Sequence, residues 1–210
     1  MDAGNLSRQA KLLLQSKGFP LIHLHSCEDD LSSFSRALAN AVDHNTYGPY
    51  VDKHTPEELR ESGAQAFLSR NKMAGIAVWP GGNIGAVFND RDSPYRNAIG
   101  ELMLTALSAG GTKLDCYNGP LRRLYAKFGF IPVARVKFNW ESAPENWRVD
   151  LGEPDILLWM HCGDPVEVVA HKIGLYPTYS QNDVEHLPYF GYEEASVFRD
   201  ERLAEFDAEL

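Results

Sequence analysis

Apolar and polar residues follow two different spacings along the first half of the chain. The stretch Leu31–Val42 places apolar residues at helical intervals behind the acidic run "EDD", which predicts a helix. Thr55 and Pro56 open a second helical pattern as its cap and its first residue. Two strand-like runs, "AGIAVWP" and "NIGAVFND", are joined by Gly81 and Gly82, which indicates a β-hairpin. The pattern therefore predicts strands beside helices.

The same alternation continues after the hairpin. The stretch "ELMLTALSA" predicts a helix that begins near Ala98, and "TKLDCYN" predicts a short strand. A further helix, "GPLRRLYAKF", is expected to be capped by Asn118 and to end at Gly129 in a left-handed turn. Two more strands follow, in "IPVARVKFNW" and "DILLWMHC". This order predicts an α/β fold whose mixed sheet has antiparallel and parallel parts and is flanked by helices.

The pattern changes at Asp164, which suggests a boundary between a domain and an extension. Residues 1–162 are predicted to form one domain, and residues 163–210 a C-terminal extension of short helical pieces interrupted by Pro177 and Pro188. The extension holds too many aromatic residues for a disordered tail. We therefore expect it to pack on the domain or to contact a partner or a second copy.

Composition narrows the classes of function. The net charge is -9 at pH 7, and such a field repels a phosphate backbone, so nucleic-acid binding is not expected. No apolar run is long enough for a membrane span, and the start of the sequence has no signal-peptide pattern. The three cysteines are scattered, as expected for reduced thiols in a cytoplasmic protein.

Two groups of potential ligands and nucleophiles are interpreted as structural. His23 and His25 are too few for a metal site and have no acidic or cysteine partners at suitable spacing, so no metal is predicted. His161 and Cys162 are adjacent on a predicted strand, where neighbouring side chains point to opposite faces. The sequence therefore predicts that these two side chains do not contact each other.

The stretch "NGPLRRLYAKFGFIPV" resembles a conserved part of the GCN5-related N-acetyltransferase family. The resemblance rests on Asn118, the pair Leu124-Tyr125, Lys127 and the pair Gly129-Phe130, followed by a strand. Upstream, "NIGAVFND" is similar to the family's central strand, and "YRNAIGELML" lies where the family has its acyl-CoA loop and next helix. The resemblance covers roughly residues 21 to 162. It implies a mixed sheet whose central pair of strands is splayed.

The family resemblance also implies a set of site residues. Acetyl-CoA, as acyl donor, would bind along the central strand and at the following loop and helix start, with Asn118 contacting its pantetheine arm. Tyr125 would protonate the leaving thiolate, and Asp90 would accept a proton from the amine, directly or through water. The implied cofactor-binding residues are Val87, Phe88, Tyr95, Arg96, Asn97, Ala98, Ile99, Gly100 and Asn118.

The loop departs from the family pattern. The family has Gln or Arg, then Gly, then Gly or Ala, where this chain has Tyr95, Ala98 and Gly100. Arg96 lies one place from the lost basic or amide position, and a Cβ at Ala98 is expected to crowd the approach of a phosphate.

Two interpretations of function therefore stay open. The first is an N-acyltransferase that moves an acetyl or acyl group from acyl-CoA to an amine on a small molecule or a protein. The second is a non-catalytic module with the same fold that binds a partner through its extension, as part of a larger assembly. The motifs also resemble those of phage and mobile-element proteins of this kind, which would make the chain phage-associated.

Overall fold

The computed structural model describes residues 5–208. Residues 1–4 and 209–210, the outer ends of the predicted domain and extension, lie outside the described part. The chain divides into two compact units, Met1–Gly111 and Thr112–Leu210, called unit 1 and unit 2 below.

The described part of unit 1 has four strands and four helices. Its strands are β1 (Leu24–Ser26), β2 (Gln65–Ser69), β3 (Ala74–Val78) and β4 (Asn83–Asn89). Its helices are α1 (Arg8–Ser16), α2 (Leu31–His44), α3 (Pro56–Glu61) and α4 (Ile99–Ser108). The strands pair antiparallel in chain order, and the turn between β3 and β4 contains Gly81 and Gly82, both with positive φ. The predicted hairpin is confirmed.

Helix α2 covers one face of the unit 1 strands. Phe34 and Leu38 of α2 pack with Leu68, Ala77 and Phe88 in a buried cluster, and the rings of Phe34 and Phe88 meet edge to face at 5.6 Å. Burying each of these large apolar side chains contributes about 1.5–3 kcal/mol. The amphipathic pattern that predicted α2 is therefore the pattern that forms this core.

A β-bulge interrupts the pairing of β3 with β4. Ala77 lies opposite Gly85 and Gly75 lies opposite Phe88, so β4 has one residue more than β3 between the two pairs. The extra residue is accommodated at Ala86, whose φ of 47° is in the left-handed region. Because side chains alternate along a strand, the inserted residue brings Phe88 to the same face as Gly85, toward α2.

The described part of unit 2 has four strands and four helices. Its strands are β5 (Lys113–Tyr117), β6 (Phe130–Val136), β7 (Ile156–His161) and β8 (Tyr189–Phe190). Its helices are α5 (Arg122–Tyr125), α6 (Val166–Lys172), α7 (Gln181–Glu185) and α8 (Tyr192–Ala208). Strand β7 pairs antiparallel with both β5 and β6, and β8 pairs parallel with β6. The sheet of unit 2 is therefore mixed.

Residues after Cys162 contribute to unit 2 through β8 and α8. Ala195 of α8 is fully buried against Ala134 of β6 and Leu158 of β7, and Phe190 and Phe198 stack beside them at 5.1 Å. Short residues at this contact let the helix approach the sheet closely. Exposed acidic residues occupy its outer face.

The predicted α/β class with a mixed sheet and flanking helices is confirmed. The predicted strand at Ile84–Phe88 lies within β4, and the helix expected near Ala98 begins at Ile99. No helix within residues 5–208 is long and apolar enough to cross a membrane.

Candidate functional site

Asp90 lies immediately after β4 and organises the turn that follows. Its carboxylate accepts a hydrogen bond from the backbone N–H of Asp92 at 2.9 Å, and its carbonyl accepts one from Ser93. The carboxylate is also 3.6 Å from Nδ1 of His44. Asp90 is 8% exposed, so an acidic group is held in a fixed position at the end of β4.

The loop between β4 and α4 is anchored by a second polar residue. Asn89 donates from Nδ2 to the carbonyl of Tyr95 at 2.8 Å, and the N–H of Tyr95 donates to the hydroxyl of Ser93 at 3.2 Å. The amide oxygen of Asn89 is buried without a hydrogen-bond partner among the described residues. Arg96 and Asn97 are exposed. The end of β4 therefore presents two acceptors, one from Asn89 and one from Asp90.

Helix α4 begins without a side-chain cap. Ala98, the residue before it, is in helical conformation, 1% exposed and unable to cap, and Ile99 is half-buried. A Cβ at Gly100 would lie 2.5–2.8 Å from the side chain of Phe19, so a glycine is required there for packing within unit 1.

Glu101, in the first turn of α4, ties this helix to the start of β1. Its buried carboxylate accepts hydrogen bonds from the backbone N–H groups of Ile22, His23 and Leu24. A carboxylate near a helix N-terminus is also favoured by the helix dipole. These bonds make α4 a rigid support for the loop before it.

The two predicted site residues within β4 point in different directions. Phe88 is 4% exposed and fills the core beneath α2, whereas Val87 is half-buried. Any contact that Phe88 makes with a ligand is therefore made by its backbone.

Asn118 does not cap α5, so that prediction is wrong. The helix begins at Arg122, with Leu121 before it and no side-chain cap. The sequence Gly119-Pro120 inserts a turn, and the amide oxygen of Asn118 accepts a hydrogen bond from the guanidinium of Arg122 at 2.8 Å. The charged donor takes the oxygen that was expected to bind a backbone N–H.

Tyr125 lies at the end of α5 and is 4% exposed. Its ring meets that of Phe130 edge on at 6.4 Å. Burial raises the pKa of its hydroxyl, and the nearby Cys116 and Asp115 raise it further. Tyr125 is therefore a protonated phenol over the whole physiological range. Gly129, four residues later, has a φ of 82°, which confirms the left-handed turn predicted there.

His161 and Cys162 contact each other, so the prediction that they do not is wrong. Strand β7 ends at His161, and Cys162 lies outside it with Sγ 4.0 Å from Nε2. They do not form a nucleophile pair. The N–H of Gly163 donates to Nδ1 at 3.2 Å, so Nε2 carries the proton and donates to the carbonyl of Phe128 at 3.1 Å. Burial also raises the pKa of the Cys162 thiol.

Three residues, two in unit 1 and one in unit 2, escaped prediction from the sequence. Ala86 carries no sequence signal for a left-handed bulge, because alanine rarely adopts that conformation. Asn89 and Arg122 are polar residues in patterns that read as exposed, yet each has a buried atom without a partner among the described residues.

No family model, no curated protein and no solved structure matches the chain.

Proposed function

We propose that the chain is an N-acyltransferase that moves an acetyl or acyl group from acyl-CoA to an amine. The observation that carries the proposal is the bulge in β4. Residues held in the left-handed region at a cost of about 1–2 kcal/mol persist where surrounding structure fixes them, and they cluster at ligand sites. Ala86 is such a residue, and its bulge interrupts the ladder of β4 with β3. Bulges are over-represented next to active sites.

The start of α4 supports the same proposal for the phosphate end of the donor. The helix has no side-chain cap, and backbone N–H groups at a helix start attract negative charge. Arg96, exposed in the loop before it, adds a positive charge. The Cβ of Ala98 is buried, so it does not project into solvent before the helix.

Residues at the end of β4 suit an amine acceptor. The unpaired amide oxygen of Asn89 and the carboxylate of Asp90 are both hydrogen-bond acceptors, and a protonated amine is a donor with positive charge. These two groups are the basis on which we assign amine binding to this end of the strand.

The proposed reaction needs one base and one acid. The amine nitrogen attacks the thioester carbonyl, a C–N bond forms, the C–S bond breaks, and the thiolate takes a proton. As the family resemblance implies, we assign that proton to the Tyr125 hydroxyl, which burial keeps protonated, and the amine proton to Asp90, directly or through water.

The test is a melting curve with and without acetyl-CoA. A ligand at about 100 times its dissociation constant stabilises the folded state by roughly 2.7 kcal/mol, so the melting temperature should rise. Arg96→Glu should reduce that rise, whereas Arg70→Glu, an equal charge change at another exposed position of unit 1, should not. No rise with acetyl-CoA at about 1 mM, where even a weak site binds, would remove the acyltransferase proposal.

A second candidate is a non-catalytic module that binds a partner through the extension. It is favoured by a surface cavity of about 490 Å³ beside β8, lined by Lys137, Tyr189, Phe190, Gly191 and Glu194. Tyr189, in its lining, and the nearby Tyr192 are each about half exposed, and aromatic side chains are enriched at interfaces. This candidate predicts no acetyl-CoA effect and impaired partner binding in Tyr192→Ser.

A further inference from the structure

Arg122 is a buried positive charge without a carboxylate partner. It is the first residue of α5, and it is 8% exposed. Buried charges in proteins are normally paired, because removing a charge from water is costly. None of the ion pairs among the described residues includes Arg122. The charge is therefore not balanced directly within the described chain.

Two neutral amides hold the guanidinium in place. Nη1 donates to Oδ1 of Asn118 at 2.8 Å and to Oε1 of Gln181 at 2.7 Å. Both bonds are made by Nη1, and their acceptors lie on α7 and in the turn before α5, so they hold this end of the guanidinium in place. Amide oxygens accept hydrogen bonds but carry no net charge to neutralise the arginine.

The opposite edge of the guanidinium is unpaired. Nε is buried and has no hydrogen-bond partner in the part of the chain that the structure describes, and Nη2 makes no hydrogen bond there either. Nε and Nη2 together form an edge with two parallel N–H donors. That is the geometry that binds the two oxygens of a carboxylate or phosphate.

The carboxylate of Asp183 feels the charge of Arg122, but it is already hydrogen-bonded at the start of α7. The Asp183 carboxylate accepts a hydrogen bond from the backbone N–H of Ser180 at 2.6 Å. Its pKa is lowered mainly by hydrogen bonds from Ser180, and the charges of His186 and Arg122 add less. Asp183 therefore caps α7, and it does not pair with Arg122.

We propose that Arg122 is the receptor for an oxyanion, a carboxylate or phosphate group of a small ligand, bound on its Nε–Nη2 edge. Nη2 makes the first contact, and the second oxygen reaches Nε after a local side-chain movement. Gln181 is exposed and held to Arg122 by one hydrogen bond, so it is the neighbour free to move. The ligand then supplies the negative charge that the chain lacks at this position.

The experiment follows the Nε–H signal of Arg122 in ¹H–¹⁵N spectra of the full chain. The signal is identified by its absence in Arg122→Lys. Inorganic phosphate and acetate are titrated separately at constant ionic strength, with chloride as the reference anion. We expect a saturable shift of this signal with phosphate, acetate or both, together with a higher melting temperature. A response to phosphate alone indicates a phosphate-bearing ligand, and a response to acetate alone indicates a carboxylate.

Variants test whether the Nε–Nη2 edge of Arg122 is the group that binds the anion. Arg122→Lys keeps the charge but lacks the edge, so it should weaken binding at least tenfold. Arg123→Gln, at the exposed neighbouring position, should leave binding unchanged. If phosphate and acetate shift the Arg122 Nε–H signal no more than chloride does, the proposal is overturned. This comparison uses only the wild-type chain, so it holds even if a variant fails to fold. Stabilisation by phosphate or acetate that is as large in Arg122→Gln as in the wild-type chain also overturns it.

Discussion

Burial fixes the ionisation of the side chains around Gly129. His161 is 3% exposed, and both of its ring nitrogens are engaged in hydrogen bonds that require the neutral ring. Burial lowers its pKa. The space beside Gly129 is filled as well, since a Cβ there would lie 2.7 Å from Sγ of Cys162. Packing here leaves no room for an additional atom beside Gly129.

The lowered pKa of His161 predicts a loss of stability in mild acid. The unfolded chain takes up the proton near pH 6.5 and the folded chain only at lower pH. The contribution is therefore fully present above about pH 6.5 and declines as pH falls below it, by up to about 1.4 kcal/mol per pH unit. Urea unfolding at several pH values measures this slope.

Two variants separate His161 from the other titrating groups. His161→Asn should be less stable at neutral pH but should lose part of the slope between about pH 6.5 and pH 5. His171→Gln, at an exposed position in the same unit, should keep the wild-type slope. An unchanged slope in His161→Asn would show that another group causes the pH dependence.

Tyr125→Phe tests the proposed acid directly. If Tyr125 protonates the thiolate, the variant should keep the acetyl-CoA melting shift and lose about 10²-fold in turnover. Tyr179→Phe, at a half-buried tyrosine of the same unit, should retain full turnover. Normal turnover in Tyr125→Phe would leave the residue as a packed ring, with a stability change of roughly 1 kcal/mol.

At the scale of single residues, the sequence predicts a structural role correctly where the residue type has only one common role. Gly129 was predicted correctly because few residues other than glycine adopt its φ. Asn118 was not, because its amide can serve a helix or a side chain, and Arg122 took it. Arg122 is followed by Arg123, and two adjacent arginines are typical of an exposed surface. Only Arg123 is exposed in the structure.

At the scale of elements, strands and helices were predicted best where local signals and burial agree. Thr55 and Pro56 begin α3 as expected, with a complete capping box to Glu58. The alternating run "LIHLHSC" predicts a strand over residues 21–27, whereas β1 begins only at Leu24. The reason is that His23 has a φ of 55° and its N–H donates to Glu101. The contact that sets this boundary lies far along the sequence, so no local pattern contains it.

The bulge in β4 predicts an unusual response to glycine. Ala86→Gly relieves the left-handed strain of about 1–2 kcal/mol, which offsets the lost methyl packing and the greater freedom of the unfolded chain. Ala77→Gly, at a fully buried position of β3 in the same cluster, has no strain to relieve. Ala86→Gly should therefore be more stable than Ala77→Gly by about 1–2 kcal/mol in urea unfolding. Equal losses would contradict the assigned strain.

At the scale of the whole molecule, the order of elements along the sequence predicted the α/β class. The net charge, in turn, affects which substrates the chain attracts. A net charge of -9 attracts a cationic amine and repels an anionic donor. Raising the salt from about 0.1 M to about 1 M shortens the Debye length from ~10 Å to ~3 Å. If the chain is an acyltransferase, kcat/KM should fall for a cationic amine and not for a neutral one.

The same salt series should have the opposite effect on the binding of the acyl donor, acetyl-CoA. The KM for acetyl-CoA should stay constant or decrease, because screening weakens the repulsion between two anions. Parallel losses for both substrates would point to a general effect of salt on the folded state, which a melting curve at each salt concentration detects.

The parallel pairing of β8 with β6 has a consequence for synthesis of the chain. Arg135 and Val136 of β6 pair with Tyr189 and Phe190, which are made about 50 residues later, or roughly 3–10 s at typical translation rates. During that interval one edge of β6 has no strand beside it, and unpaired edges recruit other chains. Chaperone binding or pausing that shelters nascent chains until Phe190 emerges would therefore raise the yield of native protein.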